Sequence, residues 1–172
     1  MEQYQNIGKF VSTFGIKGEL VLEHHLGEEV CFDNIKALFI EEGQGRFIPY
    51  FLETGKSRKE GEMLILLEGI TTPEKARLLV RKKVWLPEQD VKQIASASAP
   101  IGWLGFDVYD GKKLLGKVLE VIEQPAQILL RLEINEKEVL VPLNESTLVR
   151  IDLKKQRIQV ELPEGLLDIY LT

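Results

Sequence analysis

The chain has 172 residues, 44% of them hydrophobic and 28% charged, with 22 basic and 27 acidic side chains and a net charge of -5. That size and composition fit a globular protein of one domain or two small ones, and no apolar run reaches the length of a membrane span. Through residue 90 there are 12 basic and 15 acidic residues and after it 10 and 12, so neither part has the basic excess of an autonomous RNA binder.

Cys31 is the only cysteine, which excludes an intrachain disulfide. The start, Met1-Glu2-Gln3-Tyr4, lacks the basic-then-apolar pattern of a signal peptide, so a cytoplasmic location is expected.

Strand patterns dominate the first half. Ile7 to Thr13 and Glu19 to Leu26 form a pair around Phe14-Gly15-Ile16-Lys17-Gly18. Gly15 and Gly18 can both take positive φ at no steric cost, which makes this a turn with Phe14 and Ile16 at or just under its tip. Glu28 to Asn34 reads as a polar break with Cys31 and Phe32 folded inward. Lys36 to Ile40 and Arg46 to Leu52 are strands around the Gly43-Gln44-Gly45 turn. Thr54 to Gly61 reads as a basic loop, and Met63 to Leu67 as a buried strand.

One helix follows. Thr72 suits the N-cap, Pro73 the first helical position and Glu74 the positive end of the helix dipole. Lys83 to Leu86 returns to strand. Six short strands and one short helix suggest a closed barrel, which leaves no exposed strand edge.

From Pro87 to Pro100 the composition shifts, and Ala95-Ser96-Ala97-Ser98-Ala99-Pro100 has little to bury, so a linker is expected. Beyond it, Asp110-Gly111 is a hairpin turn between Phe106–Tyr109 and a strand from Leu114 to Ile122. Ile128 to Ile134 and Val139 to Leu143 follow. Val149, Ile151 and Leu153 alternate with Arg150 and Asp152, and Ile158, Val160 and Leu162 with Gln159 and Glu161. That period of two predicts half-buried strands and a second small barrel. The expected fold is therefore mainly β: two small β-barrels joined by a linker, with one short helix in the N-terminal barrel. The expected boundaries are 1–90, a linker at 91–100, a second barrel at 101–165 and a tail at 166–172.

Reactive chemistry is sparse. His24 and His25 are strand neighbours that point to opposite faces, so both cannot ligate one ion. Cys31 has no local base and reads as a small buried apolar residue. The acidic pairs Glu28-Glu29 and Glu41-Glu42 sit in loops, where carboxylates are usually solvated. No phosphate-loop or dinucleotide fingerprint exists. The expectation is no catalytic residue, no metal and no cofactor.

What remains is surface. Phe14, Ile16 and Lys17 at the glycine turn, with Trp103, Leu104 and Phe106 after the linker, are the candidate partner-binding residues. Three basic clusters stand out: Lys56-Ser57-Arg58-Lys59, Arg81-Lys82-Lys83 and Lys154-Lys155-Gln156-Arg157. Arg81, Lys82 and Lys83, just before Val84-Trp85, are the candidate RNA contacts. Trp85 itself reads as core.

Gly8 followed by Thr13-Phe14-Gly15-Ile16-Lys17-Gly18-Glu19-Leu20 resembles the N-terminal signature of the RimM family of ribosome maturation factors, with Phe14 where that family usually has His. In the second half, Gly105-Phe106-Asp107-Val108, Asp110-Gly111 and Leu115-Gly116-Lys117-Val118 resemble a PRC-barrel. Val141-Pro142-Leu143, Ile151-Asp152-Leu153 and Pro163-Glu164-Gly165-Leu166-Leu167-Asp168 follow in the family's order. The family's adjacent tyrosines before its second barrel align with Ser98 and Ala99 here, leaving Trp103 as the aromatic of that stretch.

The resemblance implies a non-catalytic, monomeric ribosome assembly factor. Such a factor binds ribosomal protein uS-nineteen chiefly through its second barrel and assists head maturation and rRNA processing of the small subunit. Its rRNA contact is expected to be indirect or secondary, with no membrane involvement. The alternative is a PRC-barrel scaffold in a non-ribosomal complex.

Overall fold

The computed structural model describes residues 3–28, 30–96 and 99–171. Ala97 and Ser98 of the expected linker and Glu29 of the first acidic pair lie outside the described residues. The chain divides into two compact units, Met1–Gly102 and Trp103–Thr172.

The first unit is a closed six-stranded barrel of order β1-β2-β5-β4-β3-β6. Its strands are β1 (Tyr4–Phe14), β2 (Glu19–His24), β3 (Ala37–Glu41), β4 (Phe47–Lys59), β5 (Glu62–Leu67) and β6 (Lys83–Pro87). β6 pairs antiparallel with both β1 and β3, which seals the cylinder and leaves no strand edge to template aggregation. Ile7, Phe10, Leu20, Leu22, Leu38, Ile40, Met63, Ile65, Val84 and Leu86 fill its interior. In β5 buried and half-buried residues alternate, as the two-residue period of a strand requires. Between β5 and β6 lies the short helix α1 (Pro73–Arg77), and the Thr72 hydroxyl accepts the Lys75 N–H at 3.3 Å.

Two readings of this half need correction. The basic stretch 54–61 is mostly strand: β4 runs on to Lys59, with register shifts near residues 53 and 58, and pairs with β5. Cys31 is exposed; the buried anchor of that break is Phe32, 2% exposed. Gly55 faces Phe32, and an added Cβ there would lie 3.1 Å from that side chain.

The expected linker is also partly structured. A second helix, α2 (Glu88–Ile94), starts directly after β6, and its Val91 is fully buried. Beyond it, the Ser96 N–H donates to the Leu26 carbonyl at 2.7 Å, which ties the stretch to the barrel. Pro100–Trp103 is a single 3-10 turn.

The second unit is built from two sheets. One is β11-β10-β9, with β9 (Glu120–Glu123), β10 (Ile128–Ile134) and β11 (Lys137–Leu143). The other is β12-β13-β7-β8, with β7 (Asp107–Asp110), β8 (Lys113–Lys117), β12 (Leu148–Asp152) and β13 (Arg157–Val160). The single strand expected from Leu114 to Ile122 is thus two, β8 and β9, one in each sheet. Leu119 between them donates its N–H to the Arg131 carbonyl. β13 runs parallel to β7, and Val108, Ile158 and Val160 are fully buried between the layers with Leu130, Leu132, Val139 and Val141. The tail carries a last helical turn, α3 (Asp168–Leu171), packed on β11, where Lys137 donates to the Leu171 carbonyl at 3.1 Å.

Candidate partner and nucleic-acid interfaces

The β1–β2 turn presents the sequence candidates as expected. Phe14 is 42% exposed and Ile16 84%, with Lys17 also exposed. The turn is held from below by Gly18, whose φ is +91°. A Cβ on Gly18 would lie 2.4 Å from the Ile70 carbonyl oxygen, so only glycine allows the tip to sit on the segment leading into α1. The Arg58 guanidinium lies 5.3 Å from the Phe14 ring centroid and pairs with Glu62 at 2.8 Å. Lys59 also reaches Glu62, at 3.5 Å. The cluster 56–59 is therefore largely spent on its own sheet.

Arg81, Lys82 and Lys83 differ. All three are exposed, and none has an ion-pair partner among the described residues. The backbone fixes them: the Arg81 N–H donates to the Phe10 carbonyl at 2.7 Å, and the Phe10 N–H donates to the Lys82 carbonyl at 3.1 Å. Arg81 has φ +77°, uncommon for a non-glycine residue. With Glu41, Val80 and Trp85 they line a groove of about 400 Å³. The Glu41 carboxylate accepts the Gly45 N–H at 3.0 Å, within its own turn.

Trp85 is half-buried, not core. It sits between the buried Val84 and Leu86 and so faces outward from the barrel. There it joins an aromatic cluster: Phe47 is 5.3 Å from Trp85 edge-on, Tyr4 stacks 4.3 Å from Phe47, and Tyr4 lies 4.9 Å from Phe39. The Trp85 Nε1–H has no acceptor. Cations beside aromatic faces are the composition that holds unpaired nucleic acid. Sequence reasoning missed the cluster because its members come from four strands, and only the register brings them together.

In the second unit two candidates are lost. Leu104 and Phe106 are each only 5% exposed. They belong to the core, held by a turn in which the Phe106 N–H donates to the Trp103 carbonyl and the Val118 N–H to the Phe106 carbonyl. Trp103 is half-buried, and its Nε1–H has no acceptor. Other residues provide apolar surface: Val149 is 59% exposed, Leu153 51% and Leu114 52%. Val149 and Leu153 were expected to face inward. A register shift between Leu148 and Arg150 displaces Val149, and Leu153 lies past the end of β12.

The groove nearest to reactive chemistry, about 200 Å³, contains His24, Ser57, Glu28 and Glu60. His24 Nδ1 accepts the Leu26 N–H at 3.2 Å. Partial burial, and then the neighbouring His25, lower its pKa below the usual histidine value. No hydrogen bond joins His24 to Ser57 or Glu60, so the relay that activates a hydroxyl nucleophile is not assembled. Among the described residues no group of three His, Cys, Asp or Glu is placed to hold a metal ion, and no helix is long and apolar enough to cross a membrane.

Fold and surface together define a two-domain β protein: a sealed barrel with an exposed glycine turn, followed by a smaller two-sheet domain of the PRC-barrel kind. The RimM N-terminal domain model matches residues 5–91, and the RimM PRC barrel domain model matches residues 102–166. The chain belongs to the RimM family.

Among its relatives, the ribosome maturation factor RimM of Bacteroides thetaiotaomicron is 33% identical, with 98% of this chain and 94% of the relative covered. The ribosome maturation factor RimM of Parabacteroides distasonis is 31% identical, with 98% of both chains covered. A crystal structure of a 16S ribosomal RNA processing protein RimM from Pseudomonas aeruginosa aligns with 21% identity and a TM-score of 0.45, covering 94% of this chain and 98% of that one.

Proposed function

We propose that this chain is a non-catalytic assembly factor of the small ribosomal subunit. It works in the cytoplasm as a monomer without a cofactor, and it assists maturation of the subunit head and processing of small-subunit rRNA. The observation that carries this reading is the match of both family domains, in order, across nearly the whole chain. Such a role is exercised by holding a conformation or shielding a surface.

Its protein partner is ribosomal protein uS-nineteen, bound chiefly by the second unit. Support comes from the apolar side chains this unit leaves exposed, Leu114, Val149 and Leu153, with Trp103 at its start. Phe14, Ile16 and Lys17 form a second contact. Arg81, Lys82 and Lys83, beside Trp85 and Phe47, add an attraction for rRNA that is secondary to the protein contact.

The assignment is tested by a pull-down of the purified ribosomal protein on immobilised 1–102 and 103–172. Retention by 103–172 is expected. Retention by 1–102 alone would transfer the docking surface to the first unit.

A further inference from the structure

Residues 103–172 carry nine basic and twelve acidic side chains, yet one face of this unit is basic. In the β12-β13-β7-β8 sheet, Ile151 pairs with Ile158 and Ile158 with Val108, and Ile158 and Val108 are fully buried. Their neighbours therefore point outward: Arg150 opposite Gln159, Arg157 opposite Asp152, and Tyr109 opposite Gln159. Arg150 and Arg157 thus stand on adjacent strands as diagonal neighbours, about 7–8 Å apart at their backbones.

Arg157 and the β7–β8 turn are held in place. The Arg157 guanidinium lies 5.0 Å from the Tyr109 ring centroid, an arrangement that orients its planar fork. The Gln159 amide donates to the Gly111 carbonyl at 2.7 Å and so pins the β7–β8 turn, which brings in Lys112. These residues line a groove of about 250 Å³ in which Asp152 is the one carboxylate. That carboxylate accepts the Lys155 N–H at 3.0 Å. Nearby Asp107 is paired with Lys117 at 3.1 Å. Among the described residues none of Lys112, Arg150 and Arg157 makes a salt bridge, and the attraction between Arg150 and Asp152 acts at longer range.

We infer that Lys112, Arg150 and Arg157 form a binding groove for the sugar-phosphate backbone of RNA. Three cations, two of them bidentate donors, around one occupied carboxylate suit successive phosphates. The ligand being RNA, and not an acidic protein, rests on the ribosomal reading above. A ribosomal protein is itself an RNA binder with basic surface, so it is repelled by this groove. The contact reads phosphates without reading bases, and is sequence-independent.

The test uses the full-length chain and a fluorescein-labelled single-stranded RNA of about 20 nucleotides, with affinity measured between 50 and 200 mM salt. Removing three phosphate contacts lowers the slope of log affinity against log salt by about 2. The wild-type chain then loses about 20-fold more affinity over that range than the triple variant Lys112→Ala, Arg150→Ala, Arg157→Ala. Arg157→Lys keeps the charge and retains most of the slope.

A Lys82→Ala, Lys83→Ala double variant, measured separately, isolates the first unit's contribution. Thermal melting shows that these outward-facing changes leave the fold intact. An unchanged slope in the triple variant overturns the inference. So does a groove that binds polyglutamate but not RNA. Either result is obtained with purified components and stands apart from whether the protein associates with subunit particles in a lysate.

Discussion

Gly15 and Gly18 lie three residues apart in one turn and make opposite demands. Gly15 has φ +68° with open space around the position of a Cβ, so Gly15→Ala costs only the left-handed strain, about 1 kcal/mol. Gly18→Ala must in addition push the Ile70 backbone aside, and about 3 kcal/mol is expected. Urea unfolding of the two variants separates them, and equal costs would contradict the packing described here.

His24 gives a second expectation at this scale. Its pKa is lowered in the fold, first by burial and then by His25. The unfolded chain therefore binds the proton more readily than the folded chain. Stability is intact above the unfolded value near 6.5 and falls as pH drops through 6.5 toward the folded pKa. In His24→Asn, which keeps an acceptor near the Leu26 N–H, the fall in melting temperature between pH 7.5 and 5.5 should be smaller than in wild type. An equal fall would remove His24 as its source. The exposed tip residues were legible one by one, because a glycine turn announces itself. The fates of Cys31, Leu104 and Phe106 were not, because an isolated turn residue carries no sign of which neighbour it will meet.

At the scale of elements, α2 changes where the first domain ends. Val91 is fully buried, and Ser96 bonds back to Leu26. A fragment 1–90 cuts this helix and loses that burial, so it should be about 2 kcal/mol less stable than 1–96 by chemical denaturation. Equal stability would restore the stretch to a loose connector.

The helix had a signal in the sequence. Glu88 and Asp90 stand at its positive end, and Glu88 pairs with Lys92 one turn on, at 3.8 Å. The serine-alanine run beside it hid that signal, because composition alone marks both linkers and short helices poorly. Strand periodicity located the six barrel strands well, since one face of each is dry. It failed where pairing is irregular. The extension of β4 through a polar stretch and the displacement of Val149 both arise from register shifts, which depend on the partner strand and leave no trace in a single strand's pattern.

For the whole molecule, the acidic net charge and the clustered cations fit together. A chain of net charge -5 repels RNA over most of its surface, so the proposed RNA contacts fall on Arg81, Lys82 and Lys83, and on Lys112, Arg150 and Arg157, which make no salt bridge among the described residues. Replacing Arg81, Lys82 and Lys83 by Ala should weaken association with subunit particles and flatten its salt dependence, with a slope change of about 2 for three lost contacts. An unchanged slope would return these residues to the solvated surface. The aromatic cluster next to them was invisible in the sequence, because Tyr4, Phe39, Phe47 and Trp85 are spread over four strands.

The central claim, that this two-domain β protein serves small-subunit assembly by contact alone, is tested most directly by sedimenting a lysate and following the full-length chain through the gradient. Comigration with immature small-subunit particles, and absence from mature ribosomes, is expected. A chain that remains at the top of the gradient, or travels with another complex, would contradict it.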